Sequence, residues 1–216
     1  MKRYLPFAII AFVLAAAIGA GAFMFRSSQP EVSTPSPSPT STPANPQMAA
    51  APKGVVTIEE FGDYQCPPCG TIHPDIKKVK SEFGDRVRLI FYQFPLTQIH
   101  KNALDAAHAA MAARLQGKFW EMHDLLYENQ KLWEEMPDLR PMAAGFAQKL
   151  GLDTERFKRD MDSAQVDAAV SADLRRGQSL GVTGTPTLFI DGQLIENEKT
   201  TLNNLRQIIN QKLGGR

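Results

Sequence analysis

The chain has 216 residues, 43% hydrophobic and 22% charged, which is enough apolar material for one ordinary folded domain. Twenty-four Lys and Arg against 23 Asp and Glu leave a formal charge of +1, excluding a strongly basic nucleic-acid binder and an acidic solvating protein as starting points. Its two cysteines, Cys66 and Cys69, are too few for the disulfide framework of a small secreted domain or for a zinc site built from cysteines alone.

Three stretches follow one another. In residues 1–26, Lys2 and Arg3 precede Tyr4–Phe25, 22 residues without a charge. As a helix this run spans roughly 33 Å, the thickness of a bilayer core. It is read as a membrane anchor with the basic end in the cytoplasm and the rest of the chain exported. The alternative is a cleaved signal peptide, for which Ala20-Gly21-Ala22 offers a small-x-small site. Residues 27–53 place Pro30, Pro35, Pro37, Pro39, Pro43, Pro46 and Pro52 among Ser, Thr and Ala. Such a segment buries too little apolar surface to offset its ordering and is predicted to be a disordered tether. Residues 54–216 read as one folded unit.

In that unit Val55–Phe61 is rich in β-formers and reads as a strand. Cys66–Phe83 carries Ile72, Ile76, Val79 and Phe83 at helical spacing, with Pro74 placed to kink it. Val87–Phe94 has the length and apolarity of a buried strand. A helical region follows, about 98–178. Ala103, Ala106, Ala107, Ala110, Met111 and Leu115 mark one helical face in it, and Phe119, Trp120, His123, Leu126 and Tyr127 the next. Asp153 is placed to cap a helix carrying Phe157 and Met161. Thr187–Ile190 and Gln193–Ile195 flank Asp191-Gly192, a strong hairpin signal, and a final helix runs from about Thr201 to Leu213. Strands on both sides of a helical block predict an α/β fold, one sheet with an inserted helical subdomain.

Chemistry concentrates at Cys66-Pro67-Pro68-Cys69, between a predicted strand and a predicted helix. Two intervening residues bring both sulfurs to the first helical turn, where they can close a disulfide. The first sulfur there faces unpaired backbone N–H groups and the positive helix end, which favour thiolate over thiol. A thiolate attacks disulfides, and one of low pKa also leaves easily. The other reading is half a zinc site; His73 gives C-x2-C-x3-H, but no paired fourth ligand is visible in the sequence. Gly184-Thr185-Pro186-Thr187 precedes the hairpin, and from its residues alone Pro186 is equally a cis proline beside the site or an ordinary turn proline.

Glu60-Phe61-Gly62-Asp63-Tyr64-Gln65-Cys66-Pro67-Pro68-Cys69 resembles the active-site segment of the DsbA-like branch of the thioredoxin superfamily. Phe94-Pro95-Leu96, Gly117–His123 and Gly181–Thr187 resemble its later motifs in the same order. The resemblance implies a thioredoxin fold with a helical subdomain inserted between the second core strand and the cis-Pro hairpin, and thiol–disulfide oxidoreductase activity. It implies that Cys66 is the exposed nucleophile, Cys69 the buried resolving cysteine, and Pro186 cis. It places Thr185 against the disulfide and substrate backbone, and makes Glu60 a buried acid that assists proton transfer to the resolving thiol. One departure bears on strength: the strong oxidants of the family carry a His where this chain has Pro68.

The function expected is an extracytoplasmic dithiol oxidase acting on exported proteins. It would be reoxidised by a quinone-linked membrane partner of the DsbB or vitamin-K-epoxide-reductase type. The protein is expected to be a monomer held at the membrane and facing the periplasm or cell exterior, or released there after cleavage, with no cofactor, resident metal or nucleic acid. The alternatives are a reductase or isomerase arm of an exported redox pathway, or a metal-carrying or binding module. His73 is expected to be an exposed helical residue, His123 a satisfied core histidine, and Lys77-Lys78-x-Lys80 a solvated face.

Overall fold

The computed structural model describes residues 54–215; the expected anchor and tether lie outside the described residues. No helix among the described residues is long and apolar enough to cross a membrane.

Four strands form one sheet in the order β2-β1-β3-β4. Central β1 (Val56–Gly62) runs parallel to β2 (Val87–Gln93) and antiparallel to β3 (Thr187–Ile190), which turns back into β4 (Gln193–Ile195). The parallel pair needs a crossover, and α1 (Pro67–Phe83) supplies it. Asp191 and Gly192 both have positive φ, 50° and 74°, which a two-residue hairpin of matching twist requires.

Period-two alternation divides β1 between the two faces of the sheet. Val56 and Ile58 pack with Ile76 and Val79 of α1 and with Leu205 and Ile209 of the last helix, α8 (Leu202–Gly214). Phe61 points the other way, stacks on Tyr92 at 4.8 Å and meets Phe94 and Phe189 edge-on. The same alternation places Glu60 on the α1 side, level with Phe91 and Leu188 of the neighbouring strands.

Between β2 and β3 stand α2 (Ala103–Arg114), α3 (Phe119–Glu128), α4 (Gln130–Trp133), α5 (Arg140–Lys149), α6 (Thr154–Met161) and α7 (Ala164–Ser179). Their core joins that of the active-site segment through Tyr64 and Phe91. The sequence predicts a one-sided α2. Instead Ala106, Ala107, Ala109, Ala110, Ala112 and Ala113 are all buried, because methyl-sized side chains let α3, α5, α6 and α7 pack around the helix. Asp153 caps α6 by accepting from the Arg156 N–H at 2.9 Å. Pro74 lies inside α1, which continues to Phe83.

Candidate active site

The turn leading out of β1 is built around the Asp63 carboxylate. It accepts from the Gln65 N–H (2.8 Å) and the Leu96 N–H (2.9 Å) and lies 2.7 Å from His100 Nδ1, while the Asp63 carbonyl accepts from the Cys66 N–H (3.1 Å). The helical insertion grips the same turn. Gln130 Nε2 donates to the Tyr64 and Cys66 carbonyls at 2.7 and 2.9 Å, and Gln65 Oε1 accepts from the Asn102 N–H at 2.7 Å. The position of Cys66 is thus set by side chains from two parts of the fold.

Cys66 is the N-cap of α1, and Pro67 and Pro68 occupy its first two positions. The prolines have no N–H, so the first backbone donor near the sulfur is that of Cys69. The helix end therefore supplies less than the full first turn the sequence reading invoked. The Cys66 thiol is nonetheless held at about 6. The largest cause is the Cys69 side chain, whose S–H donates to the Cys66 sulfur. Burial opposes the shift, the Thr185 side chain and the Cys69 N–H reinforce it, and the Asp63 charge works weakly against it. Burial pushes the Cys69 thiol well up, helped by Cys66 and by Glu60.

Both cysteines are free thiols. The expectation of an exposed Cys66 is corrected: only 4% of its surface is open, against 0% for Cys69. The cover comes from the loop before β3. Its Thr185–Pro186 peptide is cis, and the Thr185 carbonyl oxygen accepts from Cys66 Sγ at 3.3 Å. Thr185 Oγ1 is buried with no other hydrogen-bond partner, which leaves its hydroxyl available to a thiolate.

Glu60 is 2% exposed, and its Oε1 has no hydrogen-bond partner. Burial first, and the neighbouring Cys66 charge second, push its carboxyl up to about 8, so it is a neutral acid at pH 7. The buried Tyr127 hydroxyl, also unpartnered, is pushed well up by burial and by the Cys69 and Glu60 charges.

A second correction concerns His73. It is 7% exposed, stacked on Tyr127 at 4.9 Å and edge-on to His123 at 5.1 Å, because α3 docks on the helix face that carries it. His123 is a core histidine whose Nδ1 meets the Tyr64 hydroxyl at 3.1 Å. Lys77 and Lys80 are not simply solvated: Lys77 pairs with Asp124 and Glu128 at 2.7 Å, and Lys80 Nζ donates to the Gly84 and Val87 carbonyls.

The fold therefore gathers Glu60, Cys66, Cys69, Thr185 and Pro186 at one place, with Asp63, Gln65, Asn102, His100 and Gln130 as supports the sequence reading missed. Only Asp63 carried a local signal, an Asx turn over two residues. Gln65 adjoins Cys66 but finds its partner in Asn102, 37 residues on, and His100, Asn102 and Gln130 all reach the site across more than 30 residues of chain.

The family model described as Thioredoxin matches residues 47–211. Two curated relatives are Na+/H+ antiporters NhaA 1, from Salinispora arenicola (37% identical over 139 residues) and Mycolicibacterium gilvum (35% over 155). The matches cover 64% and 70% of this chain but 20% and 24% of those proteins, so the chain spans about a fifth to a quarter of their length. Among solved structures, BdbD from Bacillus subtilis in its oxidised form is 25% identical, with a TM-score of 0.66 over 75% of this chain and 89% of that one. The thiol-disulfide exchange protein α-DsbA2 from Wolbachia pipientis is 24% identical (TM-score 0.64; 76% and 85% covered). A thioredoxin-like oxidoreductase from Silicibacter pomeroyi is 29% identical (0.57; 73% and 88%). The architecture is that of the DsbA-type thiol–disulfide oxidoreductases.

Proposed function

This chain belongs to the thioredoxin family, and from that premise we propose that it is an extracytoplasmic thiol–disulfide oxidoreductase working as a dithiol oxidase through Cys66 and Cys69. The observation that carries this reading is the arrangement of the pair: Cys66 caps the helix 3.3 Å from the Thr185 carbonyl of the cis-proline loop, with Cys69 fully buried one turn on, which lowers the Cys66 thiol and raises that of Cys69. At pH 7 the dithiol form is then a Cys66 thiolate bonded by a neutral Cys69. That pairing stabilises the reduced state, and a stabilised reduced state makes the disulfide an oxidant.

Each step follows from this asymmetry. A substrate thiolate attacks Cys66 Sγ of the disulfide, the Cys66–Cys69 bond breaks, and the electron pair leaves on Cys69 Sγ. Cys69 is buried and takes a proton; in this reading Glu60, buried and neutral at pH 7, is the acid that delivers it. A second substrate thiol loses its proton to solvent and attacks the substrate sulfur of the mixed disulfide, and Cys66 departs as the thiolate that Cys69 and Thr185 favour. The substrate gains one disulfide and the enzyme holds the two electrons. The bound substrate segment lies against the loop of Thr185 and Pro186.

Export is supported by Lys2 and Arg3 ahead of the uncharged run Tyr4–Phe25 and the proline-rich stretch that follows. Outside the cytoplasm, thiol-bearing proteins arriving unfolded are the natural substrates, and a quinone-linked membrane oxidase is the electron acceptor that restores the Cys66–Cys69 disulfide. The test is stoichiometric oxidation of a reduced, unfolded exported protein with one native disulfide. One equivalent of oxidised enzyme is expected to form one substrate disulfide within seconds. Failure to do so, together with rapid reduction of insulin by the dithiol form, would reverse the assignment to a reductase.

A further inference from the structure

We propose that His73 of α1 and His123 and Asp124 of α3 form a binding site for a divalent transition ion of the zinc class, separate from the two cysteines. The ligand atoms of these three side chains all lie within 4.8 Å of one another, and His73 Nε2 is 3.3 Å from Asp124 Oδ1. With metal–nitrogen and metal–oxygen bonds of about 2.0–2.2 Å, tetrahedral ligand atoms stand roughly 3.4 Å apart. The His73–Asp124 pair is already at that spacing. Asp124 is one-third exposed, so its torsions can bring its oxygen toward an ion without moving either helix.

The hydrogen bonding of His73 and the space beside it also point to a ligand. His73 is more than nine-tenths buried, yet its Nε2 makes no hydrogen bond of acceptable geometry. Its contact with Asp124 Oδ1, at 3.3 Å, lacks hydrogen-bond geometry, and a buried ring nitrogen so poorly satisfied is costly; an ion held between the two atoms would satisfy both. A cavity of about 300 Å³ opens against His73, His123 and Asp124, with Ile76, Leu89 and Trp120 as apolar walls. It gives an ion a way in and leaves room for a water as fourth ligand.

The surrounding contacts match those that orient metal ligands elsewhere. The Tyr64 hydroxyl holds His123 Nδ1 at 3.1 Å, directing Nε2 to be the ligating atom, and Lys77 Nζ holds Asp124 Oδ2 at 2.7 Å, leaving Oδ1 for an ion. Lys77, Lys80 and Arg88 also border the cavity and disfavour a cation bound by charge alone. Lys77 is offset by Asp124 and Glu128, and Lys80 is engaged by two carbonyls. Two imidazoles and one carboxylate in a positive fringe select zinc or copper over calcium or magnesium, which need more oxygen ligands. An ion bound there would tie the helix that carries Cys69 to the helical insertion.

The full-length protein with its Cys66–Cys69 disulfide closed, so that neither thiolate is available, is titrated with zinc chloride. About one zinc per chain is expected to bind, and affinity is expected to fall at least ~10-fold in Asp124→Asn and in His73→Gln. Cobalt chloride in place of zinc is expected to give ligand-field bands without thiolate charge transfer. Zinc retention below about a tenth of an equivalent, or affinities unchanged in both variants, overturns the site. Should His73→Gln fail to fold, Asp124→Asn decides alone, because Asp124 is partly exposed and its replacement preserves shape.

Discussion

The side-chain amide of Gln130 fills the space that a Cβ on residue 70 would occupy. Gly70 stands one residue beyond Cys69, and Gln130 opens the short helix α4 of the insertion. Only a glycine lets the amide pass α1 and reach the Tyr64 and Cys66 carbonyls, so one missing methyl group allows the insertion to hold the loop that carries the reactive sulfur.

Gly70→Ala is therefore expected to displace Gln130 and destabilise the protein by about 1–3 kcal/mol. Gln130→Ala leaves the buried Tyr64 carbonyl short of a donor and is expected to cost a similar ~1–3 kcal/mol. The two act on one contact, so the double variant should lose clearly less than the sum of the singles in urea melts. Strict additivity would show that the contact does not couple them.

Cys66 is expected to be the thiol that reacts. With reduced protein, the rate of iodoacetamide alkylation at Cys66 should rise with pH around a midpoint near 6, while Cys69 stays inert at neutral pH. Cys69→Ser should accumulate mixed disulfides with substrates, and Cys66→Ser should abolish exchange. Faster labelling of Cys69 than of Cys66, read by peptide mass spectrometry, would invert the assignment.

The same thiol links reduction to stability. Its folded value of about 6 lies below that of an unfolded thiol, about 8.5. The stabilisation of the reduced form is thus complete above about pH 8.5 and is lost as pH falls through 6. The stability advantage of reduced over oxidised protein is expected to grow between pH 6 and 8, by up to about 1.4 kcal/mol per pH unit, in denaturant melts of the two forms.

Glu60 gives the opposite slope. Its folded value near 8 exceeds the unfolded 4.5, so its contribution to stability is fully present below about pH 4.5 and lost as pH rises through 8. Glu60→Gln is expected to flatten that part of the pH dependence between pH 5 and 8. If Glu60 is the proton donor to Cys69, the variant should also slow mixed-disulfide formation on the order of 10²-fold. A flattened stability profile with unchanged kinetics would leave Glu60 without a part in the reaction.

The sequence made the fold legible where local patterns decide it. Cys66–Cys69 at a strand-to-helix junction, Asp191-Gly192 between two β runs and the Asp153 cap are each set by neighbours a few residues away. The burial of His73 is not legible in α1 alone, where it holds a polar-looking position; the α3 face that covers it follows some 50 residues later. The burial of Cys66 is hidden for a similar reason, since Thr185, which meets its sulfur, lies 119 residues away. The all-alanine burial of α2 was hidden because alanine carries little signal for which side of a helix faces the core. Gly70 and Gln130 are individually unremarkable residue types, and only their approach gives them meaning.

The redox potential of the Cys66–Cys69 couple, measured against glutathione on the full-length protein at pH 7, tests the central claim most directly. A Cys66 thiolate favoured by Cys69 and Thr185, with Pro68 in place of a cationic donor, predicts an oxidant milder than the strongest of the branch. The potential is expected clearly above the roughly −270 mV of thioredoxin and below the roughly −120 mV of DsbA. A value at or below about −270 mV would mean that the disulfide, not the dithiol, is the stabilised form, and would contradict the oxidase account.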